Sequence, residues 1–240
     1  LTVARRRLYR LRLDGEALRS FQARLLRWFR KHGRDLPWRK TRDPYKILVS
    51  EVMLQQTQVD RVRGYYERFL RKYPTVRDLA AARPARVREA WEGLGYYARA
   101  RNLHAAAQEV ARRHEGRFPR DIADVMALPG VGRYTAGAVV SFAYGKPAPV
   151  LDTNVRRVLG RVFVRRRPAG AAQLDRRLWA LAEEAIPHRH AWAFNQALMD
   201  FGATLCTARS PKCGICPMRS ICAFFERTSG THTHFAEDKS

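Results

Sequence analysis

Acidic residues are scarce in this chain. There are 22 Asp and Glu against 46 Lys and Arg, giving a formal charge of +24 and a pI near 11.1. A surplus of that sign and size implies a polyanionic partner, most simply nucleic acid. Lysine is sparse too, with seven in all, so arginine dominates. Its planar fork suits phosphate oxygens, although a GC-rich genome produces the same bias without functional meaning. Long apolar runs are missing: no stretch of about 18 such residues and no signal-peptide pattern occurs. Membrane binding therefore does not account for the charge, and the expectation is a soluble, cytoplasmic protein. Period-2 strand patterning, internal repeats and low-complexity linkers are also missing, and the class is all-α.

Cysteine is absent until position 206, and then four occur together: Cys206, Cys213, Cys216 and Cys222, spaced C-x6-C-x2-C-x5-C. Clustering of every cysteine argues for a metal site, and an intracellular setting argues against disulfides. Structural zinc usually draws on two close pairs, and here there is one. A cubane takes one thiolate per iron and tolerates unequal spacing. The spacing favours a [4Fe–4S] cluster and leaves zinc open. Lys212, Arg209 and Arg219 would turn the loop into a basic surface for DNA.

Helical periodicity covers most of the chain. Asp14 can cap a helix with the apolar face Leu18, Phe21, Leu25 and Trp28, ending near Gly33. A loop, Asp35-Leu36-Pro37-Trp38-Arg39, follows. From Pro44 the period runs through Ile47, Val52, Leu54 and Val59 and on to Leu70. Further helices are expected over 76–82, 84–93, 97–114, 121–127, 133–143, 153–163, 172–186 and 190–204, with Pro and Gly at nearly every junction. Residues 1–12 carry five arginines and read as a flexible basic arm. The last eighteen residues are polar, and disorder is the better reading of their His232-Thr233-His234 than metal binding.

Two stretches carry chemistry. In Leu128-Pro129-Gly130-Val131-Gly132-Arg133 two glycines precede a helical run. They permit left-handed backbone angles and leave the amides unshielded at a helix start, where a phosphate binds well. A plain turn between helices is the bland alternative. A second helix opens after Asp152, so the pattern is that of a helix-hairpin-helix DNA clamp followed by a carboxylate. The other stretch is Ile47–Leu54, where Glu51 shares a face with Ile47 and Leu54. Aliphatic surroundings disfavour its charge and should raise its pKa, as in the acid of a glycosidase pair. Asp152, beside a helix N-terminus, should be pushed the other way and stay ionised. A buried ion pair and a simple helix cap are the structural alternatives for these two residues.

Several runs then resemble one family. Leu36-Pro37-Trp38-Arg39, the run Ser50 to Val59 containing Leu54-Gln55-Gln56-Thr57, Gly93-Leu94-Gly95-Tyr96-Tyr97, the hairpin, Leu151-Asp152, Asn195-Gln196 and the cysteine spacing are similar to those of MutY-type adenine DNA glycosylases. The hairpin and cysteine loop are shared with the wider endonuclease III superfamily. The resemblance covers roughly residues 16 to 224. It implies a six-helix domain (35–145), a cluster domain (1–34 and 146–226), a DNA groove between them and a disordered tail (227–240). It implies a monomer on double-stranded DNA carrying a mismatch or lesion, in the cytoplasm of a bacterium and associated with its nucleoid.

By the same resemblance, Glu51 protonates the adenine and Asp152 stabilises the sugar cation. Asn154 orients the acid and the sugar, and Arg39 and Gln196 contact the flipped adenine. Gln55 and Tyr96 enter the stack, while Leu54, Gln56 and Thr57 lie near the opposite base. Gly130, Gly132 and Arg133 hold phosphate. Tyr134 stands where lyase relatives carry a lysine, which implies a monofunctional enzyme. Thr153 departs from the glycine common after the aspartate. The family usually continues into a domain that reads 8-oxoguanine, whereas this sequence stops at 240, as in a short form or a piece of a longer protein. Adenine opposite guanine or 8-oxoguanine is the expected target. Thymine, uracil or hypoxanthine opposite guanine is the alternative. A non-catalytic DNA-binding module would use the charge, hairpin and cysteines and leave the two carboxylates idle.

Overall fold

A computed structural model of the chain describes residues 14–166, 168 and 170–230. The arginine-rich stretch 1–12 and the His-x-His sequence lie outside the described residues. Among those described there are twelve α-helices, three short 3₁₀ turns and no strand. They divide into two compact units, one built from the residues up to Arg34 and from Pro149 onward, the other from Asp35–Ala148.

In the first unit, α1 (Gly15–His32) begins at Asp14, whose side chain accepts from the Glu16 amide at 3.1 Å. Phe21 and Leu25 are its fully buried residues, with Leu18 and Trp28 packed beside them. This stripe meets α11 (Ala191–Thr204), where Phe194 lies edge-on to Phe21 and Phe201 edge-on to Trp28. α9 (Thr153–Phe163) adds Val155, Val158, Leu159 and Val162, and α10 (Ala171–Ala185) adds Leu178 and Leu181. The cysteine segment follows α11 as two 3₁₀ turns, Cys213–Ile215 and Arg219–Ile221. Its end is α12 (Ala223–Gly230), so residues 227–230, expected as tail, continue a helix.

The second unit is arranged around α2 (Pro44–Leu54). Asp43 caps it, accepting from the Tyr45 amide at 2.9 Å, and Pro44 occupies the first turn, where its missing N–H costs nothing. All seven residues from Ile47 to Met53 are buried, so this helix is covered on every side. α3 (Val59–Lys72), α6 (Ala98–Arg113) and α8 (Arg133–Tyr144) pack on it. α4 (Val76–Ala81) and α5 (Pro84–Ala90) lie against α6, and α7 (Ile122–Met126) leads into α8. The single helical period expected from 44 to 70 is in fact interrupted. Gln55 leaves helical angles at ψ 113, and Gln56 takes a positive φ of 56.

One polar contact fixes the entry to the first unit's core. Asp200 on α11 has a fully buried carboxylate that accepts from the Arg34 Nε at 2.7 Å and the Arg34 amide at 2.9 Å. Hydrogen bonds to a charged group are worth about 1.5–3 kcal/mol. Arg34→Ala should lose about that much stability in urea denaturation, and adding Asp200→Asn should restore part of it. An unchanged midpoint in Arg34→Ala would show that the pair does not hold α1 to α11.

Candidate active site and cysteine loop

Glu51 sits in the middle of α2 and is 3% exposed. Its Oε2 accepts a hydrogen bond from the Tyr134 hydroxyl at 2.8 Å. Tyr134 is the second residue of α8, so the contact follows from the packing of α2 on α8, and the burial expected from the sequence is present. Nearby Ser50 turns its hydroxyl back to the Ile47 carbonyl at 2.8 Å and satisfies itself within the helix. Glu51 is thus the acidic side chain that α2 carries into the core, and a tyrosine, with no amine, addresses it.

The hairpin joins α7 to α8. Gly130 has the positive φ of 72 that the sequence led us to expect, and a Cβ there would meet the Asn102 Cβ at 2.5 Å. Gly132 differs: it is extended (φ −88, ψ 176) and caps α8, with nothing within 4 Å of a Cβ position. Its lack of a side chain leaves the helix start open, and the left-handed requirement falls on Gly130 alone. Gly132 and Arg133 are exposed, as a phosphate-binding helix start requires.

The remaining candidates of this unit lie in turns. Arg39 ends the 3₁₀ turn Pro37–Arg39 and is half-buried. Leu54 is the last residue of α2, and Gln55, Gln56 and Thr57 form the turn after it. Tyr96 precedes α6, is 62% exposed and has a positive φ of 48.

In the other unit, Asp152 caps α9. Its Oδ1 accepts from the Val155 amide at 2.6 Å and its Oδ2 from the Asn154 side-chain amide at 3.1 Å. Thr153, which might have supplied the cap, is the exposed first residue of the helix. The expected depression of the Asp152 pKa is not found. Burial raises it, and the Val155 and Asn154 hydrogen bonds and the Arg157 charge oppose the rise without cancelling it. Desolvation depends on what packs around a group, which helix-terminus reasoning does not include. Gln196 and Asn195 are both buried on α11.

Two residues here escaped the sequence reading. Arg157 donates to the Asn154 Oδ1 at 2.7 Å, the Gly202 carbonyl at 2.7 Å and the Cys206 carbonyl at 2.8 Å. It therefore joins the Asp152 cap to the first cysteine. Gly202 is the second: a Cβ there would meet the Asn154 Cβ at 2.7 Å, so glycine lets α11 approach α9 at that point. The three-residue step from Asn154 to Arg157 was visible as a shared helix face. No sequence signal marked Gly202.

The four cysteines line one small cavity together with Phe201, Leu205 and Met218. Arg161 on α9 braces its rim, donating to the Cys206 Sγ at 3.4 Å and to the Thr207 and Ala208 carbonyls at 2.7 and 2.9 Å. Burial pushes the Cys216 thiol up to about 11, and burial with the neighbouring cysteines also raises Cys213. Four thiols gathered where thiolates are disfavoured fit a cationic group that neutralises them as they deprotonate. Among the described residues no three His, Cys, Asp or Glu side chains are gathered as for a single metal ion. Four cysteines on one cavity supply one thiolate for each iron of a cubane.

Comparison with known proteins agrees. Residues 49–184 match the family described as HhH-GPD superfamily base excision DNA repair protein, and residues 206–222 match the iron-sulfur binding domain of endonuclease III. The cofactor is a [4Fe–4S] cluster on Cys206, Cys213, Cys216 and Cys222. The chain is 42% identical over 228 residues to an adenine DNA glycosylase of Homo sapiens, covering 91% of this chain and 42% of that protein. It is 48% identical over 196 residues to one of Mycobacterium tuberculosis (strain CDC 1551 / Oshkosh), covering 81% and 64%. It thus spans about half the length of the curated relatives it matches. Among solved structures, a thermostable thymine-DNA glycosylase superposes with a TM-score of 0.81 at 34% identity, covering 89% of this chain and 98% of that one. A trapped endonuclease III–DNA covalent intermediate superposes with 0.76 at 28%, covering 90% and 99%.

Two measurements check these assignments. Analysis of the purified protein should find about four irons and four acid-labile sulfides per chain; stoichiometric zinc in their place would contradict the cluster. For Asp152, a pKa raised by folding means that the native state holds its proton more tightly than the unfolded chain. Stability then falls as pH rises from the ordinary aspartate range through the raised value. Asp152→Asn should therefore melt higher than the parent at pH 7, with the gap closing as pH falls below the ordinary aspartate range. A gap independent of pH would mean that the carboxyl is not strained by burial.

Proposed function

Because the chain belongs to the HhH-GPD superfamily of base excision DNA repair proteins, we propose that it is a monofunctional DNA glycosylase that removes adenine mispaired with guanine or 8-oxoguanine. The observation that carries the chemistry is the buried Glu51 carboxyl held by the Tyr134 hydroxyl at 2.8 Å. Such a carboxyl is placed to give a proton to the departing base. The second carboxyl in the proposal is Asp152, which accepts from the Val155 amide and the Asn154 side chain, contacts that favour its charge against burial.

The proposed sequence of events is short. The nucleotide is flipped from the duplex. Glu51 protonates adenine N7, the N-glycosidic bond breaks, and Asp152 stabilises the oxocarbenium-like sugar. Water then adds to the sugar and leaves an abasic site. Tyr134 has no amine to attack the sugar, so no Schiff base forms and the strand is not cut. Arg39 and Gln196 are proposed to contact the flipped base, and Gly130, Gly132 and Arg133 to hold a backbone phosphate. The adenine assignment draws its support from relatives named adenine DNA glycosylase at 42% and 48% identity. A second reading, thymine or uracil opposite guanine, is favoured by the thymine-DNA glycosylase that matches over 98% of its length. The role of the cluster in this scheme is to hold the basic loop carrying Lys212 and Arg219 against DNA.

Duplexes presenting A, T, U or hypoxanthine against G or 8-oxoguanine, followed by alkali, decide between these readings. The adenine strand should break, and borohydride should trap no adduct. Glu51→Gln and Asp152→Asn should each bind DNA while losing at least about 100-fold in excision. Undiminished excision in either variant, or breakage confined to T and U, would overturn the corresponding assignment.

A further inference from the structure

Arg99 stands in the first turn of α6, where a cation opposes the helix dipole. It is also 9% exposed, which is unusual for an arginine without a carboxylate partner. Its surroundings explain both features. Nη1 lies among four acceptors: the Val52 and Met53 carbonyls at 3.0 and 2.9 Å, the Gln55 carbonyl at 2.5 Å and the Thr57 hydroxyl at 3.2 Å. Nη2 reaches the Leu94 and Gly95 carbonyls, both at 3.2 Å. The guanidinium also lies 5.5 Å from the Trp91 ring centroid and 5.4 Å from that of Tyr96.

These acceptors come from two turns. One ends α2 and carries Gln55, Gln56 and Thr57; the other is the Gly93–Tyr96 turn. Each turn contains a non-glycine residue at positive φ, Gln56 at 56 and Tyr96 at 48. Such angles persist where surrounding contacts over-determine them. Here one side chain, Arg99, donates to acceptors in both strained turns. Carbonyls at the C-terminal end of α2 have no partner inside the helix, and Arg99 supplies one with a charge of the right sign.

We infer that Arg99 is a positioning residue: its guanidinium locks the Gln55–Thr57 and Gly93–Tyr96 turns into one rigid element, so that Gln55 and Tyr96 meet DNA in fixed register. This rests on the reading of the chain as a base-flipping glycosylase. Arg99 does not touch DNA or the reacting atoms. It acts through the two turns, and affinity for DNA is left to the exposed arginines. The planar fork is essential, since a lysine ammonium keeps the charge but cannot serve acceptors on both sides at once.

The test uses a duplex with 2-aminopurine at the target position, whose fluorescence rises on unstacking, in the non-cleaving Glu51→Gln protein. Arg99→Lys should bind with a Kd within about threefold of the parent and an unchanged salt slope. Its fluorescence rise should fall by about tenfold, and in the cleaving protein the single-turnover rate should fall in proportion. Tyr96→Ala added to Arg99→Lys should cost much less than Tyr96→Ala alone, because residues acting as a unit are not additive. Gly95→Ala tests the same clamp from the other side and keeps the arginine. A Cβ there meets nothing within 4 Å, yet the φ of 73 disfavours alanine and displaces the carbonyl that Arg99 holds. It should reproduce the loss of fluorescence with unchanged binding, including if Arg99→Lys does not fold.

Parental flipping in either folded variant, or additive losses with Tyr96→Ala, would overturn the proposal. A parent protein that unstacks and excises no base would overturn the glycosylase reading instead.

Discussion

The burial of α2 on every side is the constraint from which the second unit follows. A helix with seven consecutive buried residues cannot lie on a surface, so α3, α6 and α8 must enclose it. Enclosure supplies the core and, at Glu51, a carboxyl removed from water and answered by a tyrosine hydroxyl. The same packing therefore stabilises the unit and sets the Glu51 carboxyl beside the Tyr134 hydroxyl.

Arginine has two uses in this chain, and burial does not divide them cleanly, since exposed Arg61 and Arg77 also donate to the Gly93 and Glu115 carbonyls. Exposed arginines supply the charge that attracts a polyanion. Buried or half-buried ones donate to backbone carbonyls: Arg99 to the two turns beside α2, Arg157 and Arg161 to the start of the cysteine loop, and Arg24 to Pro217 at 2.7 Å. A carbonyl has no charge to neutralise, so these contacts hold loops in shape without removing net charge from the surface. The guanidinium's five donors make this possible, and the scarcity of lysine has a structural side as well as an electrostatic one.

What was legible in the sequence was local. The α1 stripe, its Asp14 cap, the hairpin and the cysteine spacing all depend on residues close along the chain, and the structure has each of them. The break at Gln55 was hidden because Gln-Gln-Thr-Gln does not interrupt a helical period. What ends α2 there is an arginine 44 residues further on, reaching the Gln55 carbonyl. α12 was hidden by the polar composition around it. Asp152 was misjudged because a helix N-terminus is readable from sequence, whereas the desolvation that outweighs it comes from distant packing.

The correction at Asp152 changes the chemistry more than the fold. A pair with one pKa raised and one lowered would keep its division of labour in any surroundings. With burial pushing Asp152 up, its negative charge depends on the Val155 amide at 2.6 Å, the Asn154 side chain and the field of Arg157. Arg157 is itself held by the Cys206 carbonyl. The Val155 and Asn154 hydrogen bonds and the Arg157 charge thus favour the ionised form, against a burial that disfavours it more strongly. The pKa of Asp152 is set first by the packing around it and then by these contacts.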